Sequence, residues 1–467
     1  MKFSELNLPD AVLSGIAEAG FTDCTPIQEK CLPLALAGRD VAGQAQTGTG
    51  KTAAFLITLF TKLLANAERV EPVPSRHPRA LILAPTRELV VQIDKDAQLL
   101  GKHAGFMIQA IYGGVDYMKQ KNALKEGTDI VIGTPGRLID YLKQKVYSLK
   151  EIEVLVIDEA DRMFDMGFIA DLRFILRRLP SYDQRQNLMF SATLNQRVME
   201  LAYEFMNAPE KVSVTPEQMT AERVTQVLYH VARKEKFPLL LGLLAKEGAE
   251  RTMIFVNTKR EAEFLHERLN ANGYLCRVIS GDVEQKKRLR ILDDFKAGRL
   301  PIMIGTDVAS RGLHIEGVSH VINYDLPQDP EDYVHRIGRT ARAGADGRAI
   351  SLADEDGAFY LEAIEAFAKQ KIPTEWAEDE VFVHDYVRTK PKRHEEKTLA
   401  GEKKKRPRRR GGKGENGQQR PLESAAKPAS GEERPTPQEG PGEGSKKKRR
   451  RRPRRKKPAD EGSPAAE

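Results

Sequence analysis

Ala45-Gln46-Thr47-Gly48-Thr49-Gly50-Lys51-Thr52 and, further along, Asp158-Glu159-Ala160-Asp161 decide how this chain is read. The first string has the form of a phosphate loop. Its glycines let successive backbone N–H groups turn toward an anion, and Lys51 adds a point charge for the outer phosphates. Thr52 offers a hydroxyl to Mg²⁺, Asp158 can hold the metal, and Glu159 can polarise a water. The generic pattern G-x-x-x-x-G-K-[ST] begins with Gly, where this chain has Ala45. Either string alone is an ordinary surface feature; their placement sets them apart. The loop follows Asp40-Val41-Ala42 and precedes a helix-like run over 53–64, and the acidic string directly follows the apolar Val154-Leu155-Val156-Ile157. Together they imply nucleoside triphosphate hydrolysis.

The 467 residues suffice for two or three domains, and 40% hydrophobic content suffices for real cores. No apolar run is long enough to span a membrane, and the N-terminus lacks the pattern of a secretory signal. Cys24, Cys31 and Cys276 have no metal-ligand spacing, so a reducing cytoplasm is the expected compartment. The net charge of +8 is unevenly spread: residues 389–467 hold 26 Lys+Arg against 12 Asp+Glu, and the rest hold 49 against 55. An acidic core that binds a polyanion must do so through local basic clusters.

Between residues 30 and 370 short apolar runs alternate with amphipathic segments. The first series includes residues 80–84, 129–133, 154–157 and 188–190; a second includes 253–256, 276–279, 302–304 and 320–322. Short, nearly continuous apolar strands between helices indicate parallel sheets covered on both faces, so two doubly wound α/β domains are expected. Their boundary is expected near 211–224, and residues 67–78 read as a surface loop. The last 79 residues have no aromatic, Ile, Val or Met, too little to bury, and read as disordered. Polar strings follow the strands: Pro85-Thr86-Arg87-Glu88-Leu89, Thr134-Pro135-Gly136-Arg137, Ser191-Ala192-Thr193, Asn257-Thr258 and Thr306-Asp307. Any one of them suits a turn or helix cap. Taken together they suit a ligand-lined sheet edge, because ligands bind beyond the carboxyl ends of parallel strands.

With these strings in order, residues 1–375 resemble a DEAD-box ATP-dependent RNA helicase, closest to the bacterial RhlB type. The finer likeness rests on Gly281-Asp282-Val283 before Gln285-Lys286-Lys287-Arg288, on Arg311-Gly312-Leu313-His314, and on Tyr324-Asp325-Leu326-Pro327 before Asp332-Tyr333-Val334-His335. The resemblance implies two tandem RecA-like domains, 1–215 and 216–375, and a C-terminal extension, 376–467, basic and disordered from about 389. It implies ATP and Mg²⁺ as cofactors, with Ala45, Gln46, Thr47, Gly48, Thr49, Gly50, Lys51 and Thr52 around the phosphates. Gln28 would read the adenine edge and Phe3 would stack on the ring; Cys24 stands where the family motif commonly has Pro. Thr52 and Asp158 would serve Mg²⁺, Glu159 the attacking water, and Asp161, Ser191, Thr193 and His335 the coupling between domains. Arg339 and Arg342 look like the family's arginine fingers, with Ala341 in the usual place of Gly. His314 replaces an Asp that contacts the ribose, a replacement shared by the RhlB type.

The resemblance also assigns RNA backbone contacts to Pro85, Thr86, Arg87, Gly113, Gly114, Thr134, Gly136 and Arg137, and in the second half to Thr258, Arg288 and Thr306. Main-chain N–H groups, hydroxyls and guanidinium groups bind phosphate and sugar without reading bases, so the contact should tolerate any sequence. The basic blocks 403–410 and 446–457 read as salt-sensitive polyanion-binding arms without base stacking. The RhlB type is associated with an RNA-degrading endonuclease assembly, an expected partner beside RNA. An RNA-annealing scaffold working through the tail, or a DNA translocase, are the alternative readings.

Overall fold

The computed structural model describes residues 1–45, 48–66, 77–214, 224–248, 250–310, 315, 318–340 and 347–389. The first sheet is built from β1 (Val41–Gln44), β2 (Ala80–Leu83), β3 (Ile108–Ile111), β4 (Ile130–Gly133), β5 (Val154–Ile157), β6 (Gln186–Ser191) and β7 (Glu210–Ser213), in the spatial order β3-β4-β2-β5-β6-β1-β7. The second uses β8 (Val224–His230), β9 (Thr252–Phe255), β10 (Cys276–Ile279), β11 (Ile302–Gly305), β12 (His320–Asn323), β13 (Gly347–Ala353) and β14 (Thr374–Glu375), in the order β10-β11-β9-β12-β13-β8-β14. All these pairings are parallel. The expected fold, two RecA-like doubly wound sheets in tandem, is therefore the observed one.

Burial explains the continuous apolar strands. Ala80 and Ile82 of β2 enter one core with Val154 and Val156 of β5, while Leu81 and Leu83 enter another with Leu155 and Ile157. A strand with a core on each face has no polar side to show, so alternation disappears. The second sheet repeats this: Ile254 and Ile304 lie in one core, Met253 and Met303 in another. The edge strand β3 was not among the expected runs; Ile108, Gln109 and Ala110 are only half-buried, so its sequence carries no apolar run. The last helix and turns strap the second sheet: Val383 N–H donates to the Pro238 carbonyl, and Tyr386 packs edge-on against Phe237 with ring centroids 5.3 Å apart.

The expected boundary near 211–224 and the loop 67–78 fall largely outside the described residues, as does the basic tail from 390. Parallel order puts the polar strings on one edge of each sheet. The phosphate loop follows β1, the 85–89 string β2, Gly113-Gly114 β3, the 134–137 string β4, the acidic string β5, and Ser191 ends β6.

Candidate functional site

Gly50 caps the helix Lys51–Ala65 with φ +91°, and Gly48 also lies at positive φ, +86°. A Cβ at Gly50 would approach Gln28 Nε2 to 2.5 Å, so both backbone shape and space demand glycine there. Lys51 is 5% exposed, and its Nζ donates to the Ala45 carbonyl at 2.8 Å, which folds the ammonium over the loop. Gln46 and Thr47 lie outside the described residues. Beside the loop is a cavity of about 360 Å³, lined by Phe21, Gln28, Lys51, Thr52, Asp158 and Glu159 among others.

Asp158 sits just past β5, 3% exposed, with Oδ1 accepting the Glu159 N–H at 2.9 Å. Burial raises its pKa to about 6; Lys51 opposes the rise, and Glu159 and Asp161 add to it. A buried carboxylate crowded by two others calls for a cation. Among the described residues no group of three or more His, Cys, Asp or Glu could hold an ion alone. Mg²⁺ is typically held by one or two carboxylates plus substrate phosphates, and Asp158 with the Thr52 hydroxyl is such a donor set. The residues present thus fit a triphosphate with its metal.

Glu159 adopts φ 52° and ψ 52°, an uncommon conformation for a side-chain-bearing residue, and ion-pairs with buried Arg162 at 3.1 Å. Asp161 joins this edge to β6. Its N–H donates to Ser191 Oγ at 3.1 Å, and its Oδ2 accepts the Thr193 N–H at 2.9 Å. The strings expected to couple are therefore bonded to one another.

The expected adenine readers are arranged differently. Gln28 is 3% exposed; its Oε1 accepts the Thr25 N–H at 2.8 Å, and its Nε2 donates to the Gly50 carbonyl at 3.0 Å. Both amide atoms serve the helix start and the phosphate loop. Phe3 does not line the cavity. It is buried in the core and stacks on Phe21 with centroids 6.4 Å apart, while Phe21, 43% exposed, lines the cavity. A ring entering here meets Phe21, with Phe3 behind it. Phe21, three residues before Cys24, was not among the expected site residues.

In the second lobe the helix Pro330–Ile337 carries His335 and ends before Arg339, which is 3% exposed. Arg342, with Ala341 and His314, lies outside the described residues. Arg336 anchors this helix: its Nε and Nη2 donate to the two carboxylate oxygens of Asp307, each at 2.6 Å. Burial raises the Glu331 pKa, and Asp329, then Asp165 and Asp161, add to the rise.

The expected RNA-contact residues fall into a few groups. Thr86 and Thr258 cap helices, accepting from Leu89 N–H at 3.3 Å and Glu261 N–H at 3.1 Å. Pro85 and Thr306 are buried at strand ends, Thr134 caps the helix Pro135–Lys143 without a side-chain bond, and Gly136 has open space around it. Gly113 and Gly114 lie under Arg87; at Gly114 (φ +84°) a Cβ would come within 2.5 Å of Arg87 Nη1. Arg288, expected at the RNA backbone, has its guanidinium engaged within the protein. Its Nη1 bonds the Ser280 carbonyl at 3.2 Å, Nη2 the Ala309 carbonyl, and Nε lies 2.7 Å from Glu88 of the first lobe. Gln285 Nε2 donates to the same Glu88 oxygen at 2.9 Å. Glu88 and Gln285 were not expected as site residues; the i,i+3 spacing of Gln285 and Arg288 on one helix face was the available signal.

Comparison with known proteins agrees with this geometry. Residues 25–201 match the DEAD/DEAH box helicase model and residues 235–344 the helicase conserved C-terminal domain. The chain is 57% identical over 374 residues to the ATP-dependent RNA helicase RhlB of Xanthomonas axonopodis pv. citri, covering 80% of this chain and 65% of that protein. It thus spans less than two thirds of that relative's length. It is 51% identical over 409 residues to RhlB of Idiomarina loihiensis, covering 88% of this chain and 96% of that protein. The fold is similar to S. cerevisiae Dbp5 bound to RNA and ADP BeF3, with TM-score 0.70 and 33% identity over 80% of this chain and 95% of that one.

Proposed function

The chain belongs to the DEAD/DEAH box helicase family, and from that premise we propose that it is an ATP-dependent RNA helicase that opens short duplexes locally. The observation that carries this reading is the bonding of Asp158 to Glu159 and of Asp161 to Ser191 and Thr193 beside the Lys51 loop, with Gln285 and Arg288 of the second lobe engaged on Glu88 of the first. One set serves a triphosphate, and the other joins two lobes along a strand-end edge suited to polynucleotide.

In this reading Phe21 stacks the base and Gln28 meets the adenine edge by exchanging the Gly50 carbonyl for it. Lys51 and the turned N–H groups of Gly48, Thr49 and Gly50 hold the phosphates. Thr52 and Asp158 would hold Mg²⁺, which would supply charge neutralisation for the phosphate oxygens. Glu159 orients the attacking water, and Arg162 fixes the carboxylate. Arg339 and Arg342 stabilise charge on the transferred group, a contribution worth ~10³–10⁵ in rate in related hydrolases. Asp161 relays the state of the nucleotide site through Ser191 and Thr193, with His335 receiving it across the cleft. RNA lies over Pro85, Thr86, Arg87, Gly113, Gly114, Thr134, Gly136 and Arg137 in one lobe and Thr258 and Thr306 in the other. Backbone contacts alone make it sequence-tolerant.

The domain limits 1–215 and 216–375, a basic extension that adds polyanion affinity, a cytoplasmic setting and an RNA-degrading endonuclease assembly as partner belong to the same proposal. The test is an ATPase assay with RNA, with DNA and with neither. RNA-stimulated turnover that Glu159→Gln abolishes while ATP and RNA still bind is the expected result. Turnover indifferent to RNA sinks the coupling.

A further inference from the structure

Arg137 stands on a helix face that also carries Tyr141 and, just past the helix end, Gln144. That i, i+4, i+7 face packs on Tyr117, the first residue of the helix Tyr117–Glu126, which starts soon after Gly113-Gly114. The Tyr117 and Tyr141 rings lie 4.9 Å apart, inclined at 45°. The guanidinium carbon of Arg137 is 5.0 Å from the Tyr117 centroid and 5.7 Å from that of Tyr141, and Nη1 donates to the Tyr141 hydroxyl at 3.4 Å. The tyrosine pair is itself fixed. Tyr141 is fully buried and its hydroxyl donates to the Tyr117 carbonyl at 2.8 Å, while Gln144 Nε2 donates to the Tyr117 hydroxyl. Gln144 in turn is held by Asp140 and Lys121.

No carboxylate pairs with Arg137 among the described residues; its partners are the two tyrosines. A guanidinium has five N–H donors in a rigid fork, and only one is used here. Buried or interfacial arginines usually meet carboxylates or phosphates two donors at a time. An arginine laid on aromatic faces with its fork unspent is therefore set for an anion that arrives from outside.

We propose that Tyr117 and Tyr141 are positioning residues for RNA binding, forming an aromatic seat that presents the Arg137 fork to a backbone phosphate between the Gly113-Gly114 loop and the Thr134–Arg137 turn. The inference rests on the reading of Arg137 as an RNA contact. The seat explains why arginine is needed: a lysine keeps the charge but has no planar face to lie on the rings.

The test uses the full chain and a short fluorescein-labelled oligouridine, with affinity measured by anisotropy in the presence of a non-hydrolysable ATP analogue. Tyr117→Leu weakens binding about 3- to 10-fold, the range of one cation–π contact, Tyr117→Phe restores it, and Arg137→Lys loses as much as Tyr117→Leu. In an Arg137→Ala background Tyr117→Leu costs nothing further. A merely structural tyrosine would deform the glycine loop and weaken binding in that background too. Native affinity in Tyr117→Leu or Arg137→Lys, or losses that add, overturns the proposal. Native affinity in Arg137→Ala overturns instead the reading of Arg137 as an RNA contact, so the two failures are told apart.

Discussion

Removing Glu88 should open the molecule without touching the nucleotide cavity. Its side chain is 9% exposed and that of Arg288 10%, so the 2.7 Å pair is largely shielded from solvent. Breaking a buried pair by deleting one partner costs about 3–5 kcal/mol when the remaining charge is stranded. Arg288 is not stranded, because Ser280 and Ala309 carbonyls still accept from it. The loss is therefore that of a shielded ion pair together with the Gln285 hydrogen bond to the Glu88 carboxylate, about 1.5–3 kcal/mol. At about 2 kcal/mol the equilibrium between engaged and separated lobes shifts roughly 30-fold toward separation. Fluorescence energy transfer between a dye on each lobe, read with the ATP analogue and RNA present, reports that equilibrium directly. Glu88→Ala, Arg288→Ala and the double variant form a cycle, and a coupling energy of about 1.5–3 kcal/mol is expected. Losses that add to within about 0.5 kcal/mol refute the reasoning, since independent residues behave that way. Gln285→Ala removes only the neutral donor at 2.9 Å and should cost about 1 kcal/mol.

Ser191→Ala leaves the buried Asp161 N–H without its 3.1 Å partner, a loss of about 1–3 kcal/mol at the junction between the acidic string and β6; ATP turnover should survive better than strand separation, measured on one fluorescent duplex. Gln28→Ala removes both the Thr25 and Gly50 bonds, so the ATP concentration for half-maximal turnover should rise about 10-fold or more, each lost bond being worth about 1 kcal/mol. Burial lowers the pKa of His320, with Glu247 opposing, and burial with Arg277 lowers that of His266, both from 6.5. Because the unfolded chain then takes up protons first, stability should be full above about pH 6.5 and fall as pH drops below it; urea midpoints at stepped pH check this, and His320→Gln should flatten the slope.

The sequence by itself determined the sheets' central strands and the chemistry of their ends. Residues 154–157 and 302–304 are apolar throughout because a parallel strand covered on both faces has no solvent side to mark. The loop at Gly48 and Gly50, the acids at 158–161 and the strand-end polar strings were legible because backbone shape and charge there are local requirements. The half-exposed edge strand β3 left no such pattern. Tertiary structure decided the rest. Which aromatic faces the cavity, Phe21 and not Phe3, depends on how the first turn folds over the helix Asp10–Glu18. That Arg288 meets Glu88, and that Arg137 rests on Tyr117, follows from helices brought side by side, a distance no linear spacing encodes. Long-range pairs of this kind depend on packing, and packing is a property of the whole chain.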